Sequence, residues 1–168
     1  IFGQVDSFSL TAQNGRPVAA SDLKGHVWMA DFIFTRCAGT CTVMTQTMAA
    51  LDKQIADLPD VKLVSFTMDP EHDTLEALAA FAELQGAKAP RWLFLTGKKQ
   101  EMYTLTRDQF KLMVTDQGGT SEEPIIHSDK LVLVDQKGRI RGYYSGQDAE
   151  SVKVLSAAVR KLVNSRQE

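Results

Sequence analysis

His26-Val27-Trp28-Met29-Ala30-Asp31-Phe32-Ile33-Phe34 runs directly into Thr35-Arg36-Cys37-Ala38-Gly39-Thr40-Cys41. The first nine residues are almost continuously apolar, with Asp31 the interruption, which suits a central strand covered on both faces. Beyond them, Met44, Met48, Leu51, Ile55 and Leu58 recur at intervals of three and four, predicting an amphipathic helix over 43–58 that Pro59 stops. A buried strand followed by a helix puts Cys37 and Cys41 just past the carboxyl end of the strand. Open α/β sheets keep their chemistry at that place.

Working outward, 61–68 reads as a second strand, 74–85 as a helix closed by Gly86, and 91–95 as a third strand, so the middle of the chain has the order βαβαβ. Upstream, Phe8-Ser9-Leu10-Thr11 and Arg16-Pro17-Val18 flank Asn14-Gly15, a strong hairpin signal. Downstream, 98–107 reads as a helix and 110–114 as a short strand, while 115–124 is rich in turn formers and reads as a mobile loop. Residues 131–135 and 140–144 around Lys137-Gly138 form a second hairpin signal, and 149–163 carries helical periodicity. A parallel βαβ unit, a closing antiparallel hairpin and a final helix describe an α/β, thioredoxin-like fold with an added N-terminal β-hairpin and an inserted helix/strand segment.

The 168 residues match the size of one domain, so residues 1–168 are expected to form a single soluble unit. Apolar and charged fractions of 43% and 24% are ordinary, and a net charge of -2 with scattered lysines and arginines gives no footing for a nucleic-acid partner. No apolar run reaches the roughly 18–20 residues that span a bilayer. The start at Ile1, without methionine, leads to the expectation of a preceding signal or membrane anchor.

Cys37 and Cys41 are the two cysteines of the chain. At i and i+4 they can turn both sulfurs to one point, as a ligand pair, a redox pair or a disulfide. A helix N-terminus and Arg36 both favour the thiolate. Soft thiolates select copper(I) and zinc, and imidazole extends the choice to copper(II). His127, in Pro124-Ile125-Ile126-His127-Ser128-Asp129-Lys130, lies between the Gly-rich segment and the strand that begins at Leu131. Two sulfurs and one nitrogen fall short of the four ligands of structural zinc, whereas three-coordinate copper(I) suits them. On a loop, His127 can swing towards the cysteines when metal is captured.

These residues resemble the Sco (SenC/PrrC) family of membrane-tethered, thioredoxin-like proteins that assist copper delivery to the CuA centre of cytochrome c oxidase. The matching blocks are Asp22-Leu23-Lys24-Gly25, Phe32-Ile33-Phe34-Thr35-Arg36-Cys37, Cys41, Ser65-Phe66-Thr67-Met68-Asp69-Pro70-Glu71-His72-Asp73-Thr74, Leu95-Thr96-Gly97 and His127-Ser128. The resemblance implies Cys37, Cys41 and His127 as ligands of copper, Cu(I) or Cu(II). It implies a metallochaperone, a carrier rather than a catalyst, whose partner is the CuA-bearing subunit of cytochrome c oxidase or another cuproenzyme. Other copper chaperones or thiol reductants are further expected partners, and the expected location is extracytoplasmic, in a bacterial periplasm, tethered to the inner membrane. Ala38 and Thr42 stand where the family usually has proline, which predicts a looser turn.

The rival reading is a thiol-disulfide oxidoreductase acting through the Cys37/Cys41 pair. Against it, the spacing is not Cys-x-x-Cys and no proline directly precedes Leu131. A peroxiredoxin-type peroxidase ranks lower, because the Pro-x-x-x-Thr-x-x-Cys approach is missing. Met44 and Met48 read as core packing, His26 and His72 as ordinary histidines, and Asp73 as a cap for the helix that follows it. Asp69, at a strand end on the same edge, is a weaker candidate for orienting a ligand or meeting a partner.

Overall fold

The structure, a computed structural model, describes residues 2–35, 40–112, 114–120, 123–126 and 129–165, with the backbone alone for 40–42, 114–120 and 123–126. The apolar stretch that opens the reading forms β4 (Trp28–Ile33), buried at every position. It pairs in parallel with β5 (Lys62–Thr67), and β5 pairs in parallel with β6 (Trp92–Thr96). On its other flank β4 runs antiparallel to β9 (Lys130–Val134), followed by β10 (Arg139–Ser145) and the short β1 (Gly3–Gln4). The N-terminal hairpin, β2 (Ser9–Ala12) and β3 (Pro17–Ala19), joins the sheet through β2 beside β6. The eight-stranded order is β1-β10-β9-β4-β5-β6-β2-β3, with β4 and β5 at its centre.

Alternation along β4 divides the core between the two faces of the sheet. Trp28, Ala30 and Phe32 point into one cluster with Phe66, Met102, Leu105 and Phe110. There Phe32 stacks on Phe66 at 5.5 Å and meets Phe110 edge-on at 5.0 Å. Met29 and Ile33 point into the other cluster, against the helices α1 (Thr40–Gln54), α2 (Leu75–Leu84) and α4 (Ala149–Asn164). Met44 and Met48 are buried in that cluster, in keeping with their reading as core. Thr74 caps α2 by accepting from the Ala77 amide at 3.1 Å.

The first helix starts earlier and stops sooner than its apolar spacing predicts. Thr40, Cys41 and Thr42 lie inside it but carry no apolar signal, and 55–58 close the helix in turns, with Leu58 N–H donating to Ile55 O at 2.8 Å. Arg91 caps this end: it donates to the carbonyls of Leu58 and Ile55 at 2.8 and 2.7 Å and to the Asp52 carboxylate at 3.0 Å. A cation there meets the partial negative charge of the helix terminus.

The inserted segment departs further from expectation. α3 (Lys99–Thr104) runs on into a π-helical turn over Leu105–Gln109. Phe110 is buried in the core instead of opening a strand, and its carbonyl accepts from the Tyr143 hydroxyl at 2.8 Å. The span read as a turn-rich loop forms β7 (Val114–Thr120) and β8 (Glu123–Ile126), an antiparallel pair forming a separate small sheet. Its register shifts between Thr115 and Thr120, so Gly118 and Gly119 sit inside an irregular strand. Glycine signals a turn by propensity, whereas backbone pairing is what makes this segment extended.

Asp31 is the one carboxylate on β4, and its register partner on β5 is Ser65. By alternation it faces the side covered by α1. The Ser65 hydroxyl donates to Asp31 Oδ1, and Ser65 Oγ accepts in turn from the Trp92 indole N–H at 3.0 Å. Oδ2 has no hydrogen-bond partner among the described residues. Burial outweighs the Ser65 hydrogen bond and pushes the carboxyl up from 3.8 to about 7. The folded chain therefore holds a proton that the unfolded chain releases between those two values, so this contribution to stability is lost as pH rises from roughly 4 to 7, by on the order of 4 kcal/mol. Asp31→Asn, which cannot ionise, should gain stability relative to wild type by a few kcal/mol (an order-of-magnitude figure) between about pH 5 and pH 8. Urea unfolding of both proteins across that range measures the difference, and a constant difference would contradict it.

Candidate metal centre

Of the three predicted ligands, the structure describes only the backbone of Cys41. Cys41 falls in the first turn of α1. Cys37 and His127 are outside the described residues, and the side chain of Cys41 is likewise not described. What the structure shows is the framework that holds the chain on either side of each.

Thr35 stands two residues before Cys37, just past the end of β4. Its amide donates to both oxygens of the Asp73 carboxylate, at 3.3 and 3.1 Å, and its hydroxyl donates to Asp73 Oδ1. Asp73 Oδ2 also accepts from the Thr67 hydroxyl at 2.6 Å, at the end of β5. Fully buried, Asp73 bridges two adjacent strand ends. Its expected role as a helix cap belongs instead to Thr74, one residue on.

Next to that bridge, the Asp69 amide donates to Thr67 Oγ1 at 3.1 Å, and the Asp69 carbonyl accepts from the amides of His72 and Asp73. The Asp69 carboxylate holds His72 Nδ1 at 2.9 Å. His72 thus sits on the same edge with its ring oriented by a carboxylate, whereas His26 Nδ1 contacts the Asp60 carbonyl at 2.8 Å, before the start of β5.

The far side of His127 is tied down at Asp129. Its carboxylate accepts from the Ser145 hydroxyl at 2.7 Å, and its carbonyl accepts from the Gly146 amide at 2.8 Å. The Gly146 carbonyl takes a hydrogen bond from Thr47 Oγ1 of α1 at 2.9 Å. A Cβ at Gly146 would overlap the Met44 sulfur, so glycine lets the β10–α4 turn lie close against α1 without displacing the end of the Met44 side chain. Met44 follows Cys41 by three residues and shares its helical face. The segment two residues beyond His127 and the helix that carries Cys41 are therefore joined through a single glycine.

Sequence reading found the cysteine edge but missed these supports. Asp31 gave a signal, a carboxylate inside an apolar run, and so did the placement of Asp73 directly before a better cap. Asp129, Ser145 and Gly146 gave none, because their contacts join distant parts of the chain.

Comparison with known proteins agrees with this architecture. The SCO1/SenC family model matches residues 4–164. A Bacillus subtilis SCO1 homolog is 37% identical over 145 residues, covering 85% of this chain and 74% of that protein. A SCO1/SenC family lipoprotein from Bacillus anthracis superimposes with a TM-score of 0.88 at 32% identity, covering 97% of this chain and 96% of that one. BsSco, described as a member of the Sco family of cytochrome c oxidase assembly proteins and studied for its disulfide switch, gives 0.85 at 32%, with coverages of 98% and 96%. Arabidopsis thaliana ScoI with copper bound shares the fold at 24% identity, TM-score 0.79, over the whole of both chains. Among the described residues no helix is long and apolar enough to cross a membrane. With the family match spanning nearly the whole chain, the chain belongs to the SCO1/SenC family.

Proposed function

We propose that this chain is a copper carrier in cytochrome c oxidase assembly, holding one copper ion through Cys37, Cys41 and His127 and passing it by ligand exchange to the CuA-bearing subunit. The observation that supports the reading is the Gly146 junction, which links Asp129, two residues beyond His127 in sequence, to the helix that carries Cys41. Two thiolates and an imidazole suit copper, and an edge position leaves the ion accessible to incoming ligands. Family membership supports the same reading: BsSco is described among oxidase assembly proteins, and Arabidopsis ScoI binds copper. A location outside the cytoplasm with an N-terminal membrane tether fits the lipoprotein relative.

Thiol-disulfide exchange by the same two cysteines is the second reading, favoured by the disulfide switch described for BsSco. One thiolate would attack a partner disulfide and the other would resolve the mixed disulfide, leaving Cys37–Cys41 oxidised and the partner reduced.

Copper titration of the reduced protein should give one equivalent bound, lost in Cys37→Ser and in Cys41→Ser; stoichiometric binding retained by either variant would remove the copper reading. His127→Ala separates the two readings. It should lower copper affinity by at least the 10- to 100-fold typical of losing even an outer-shell partner, while the rate of exchange with a disulfide substrate stays at the wild-type value.

A further inference from the structure

We propose that Asp73 is the positioning residue for the Cys37 segment. The inference deepens the copper reading and rests on it for the identity of the bound metal. Thr35 and Thr40 bracket the four residues that include Cys37. At the Thr40 end the chain is fixed by the helix itself. At the Thr35 end it is fixed by Asp73, which accepts from the Thr35 amide and hydroxyl and, on its second oxygen, from Thr67.

Three features make this more than ordinary packing. The carboxylate is fully buried, so each acceptor site left empty would cost the desolvation of that oxygen, and the described donors occupy both oxygens. The donors come from two different strand ends, so the bridge fixes the exit of β4 relative to β5 instead of merely closing a local turn. Its geometry also needs an acceptor-only group: an amide of the same shape would present N–H to a donor on one side. Chain that leaves the sheet two residues before a ligand transmits its direction to that ligand, as outer-shell partners do in metal sites.

The test uses Asp73→Asn, Thr35→Val and Thr35→Ser, each confirmed as folded by a cooperative thermal transition. Thr35→Val keeps the amide contact and removes the hydroxyl, so it carries the test if Asp73→Asn does not fold. Asp73→Asn and Thr35→Val should bind copper about 10- to 100-fold more weakly and change the paramagnetic resonance spectrum of the Cu(II) form, and Thr35→Ser should restore wild-type values. A metal-free measurement runs beside it: the alkylation rate of Cys37 by iodoacetamide, in the Cys41→Ser background, should change in the first two variants and not in Thr35→Ser. Folded Asp73→Asn and Thr35→Val proteins with wild-type spectrum, affinity and alkylation rate would overturn the inference. If wild type and Cys37→Ser take up copper alike, the copper reading fails by itself. The alkylation rates then decide the role of Asp73 alone, and they also decide where the two measurements disagree.

Discussion

The strand Trp28–Ile33 is buried along its whole length, and the architecture follows from that constraint. A strand covered on both faces needs apolar partners above and below and a hydrogen-bonded strand on each side. The helices on one face, the aromatic cluster on the other, and β5 and β9 as flanking strands supply these requirements. With β4 held on four sides, the point where it releases the chain is fixed in space, and Thr35 stands at that point. The chain thus leaves the sheet from a strand that is buried throughout, through a half-buried Thr35.

Two buried carboxylates near that strand are treated in opposite ways. Asp73 receives donors on both oxygens and links strand ends. Asp31 receives one donor among the described residues, and burial keeps its proton on to about pH 7. The two differ in hydrogen-bond supply: Asp73 meets donors from two strand ends, Asp31 the Ser65 hydroxyl.

Most of the fold was legible because its elements obey simple periods. The β4 run, the three- and four-residue spacing of Met44 to Ile55, the Asn14-Gly15 turn and the Lys137-Gly138 turn each carry their structure locally. The β7–β8 pair was not legible, since Gly118 and Gly119 announce a turn while the backbone pairs as strands. The two-residue β1 was likewise invisible, because it exists through pairing with Ile140 and Arg139. At the candidate site, strand-then-helix order foretold the place of Cys41 at the start of α1. Asp73 was misread because its neighbour Thr74 has similar capping chemistry, and the Asp129–Gly146–Thr47 link spans residues that are about a hundred apart in the chain.

Helix α1 is gripped at both extremities. Arg91 holds its last carbonyls, and Gly146 lies against its second turn through Thr47 and Met44. A rod secured at each end has no fulcrum, so α1 keeps one fixed seat against the sheet and cannot pivot about either contact.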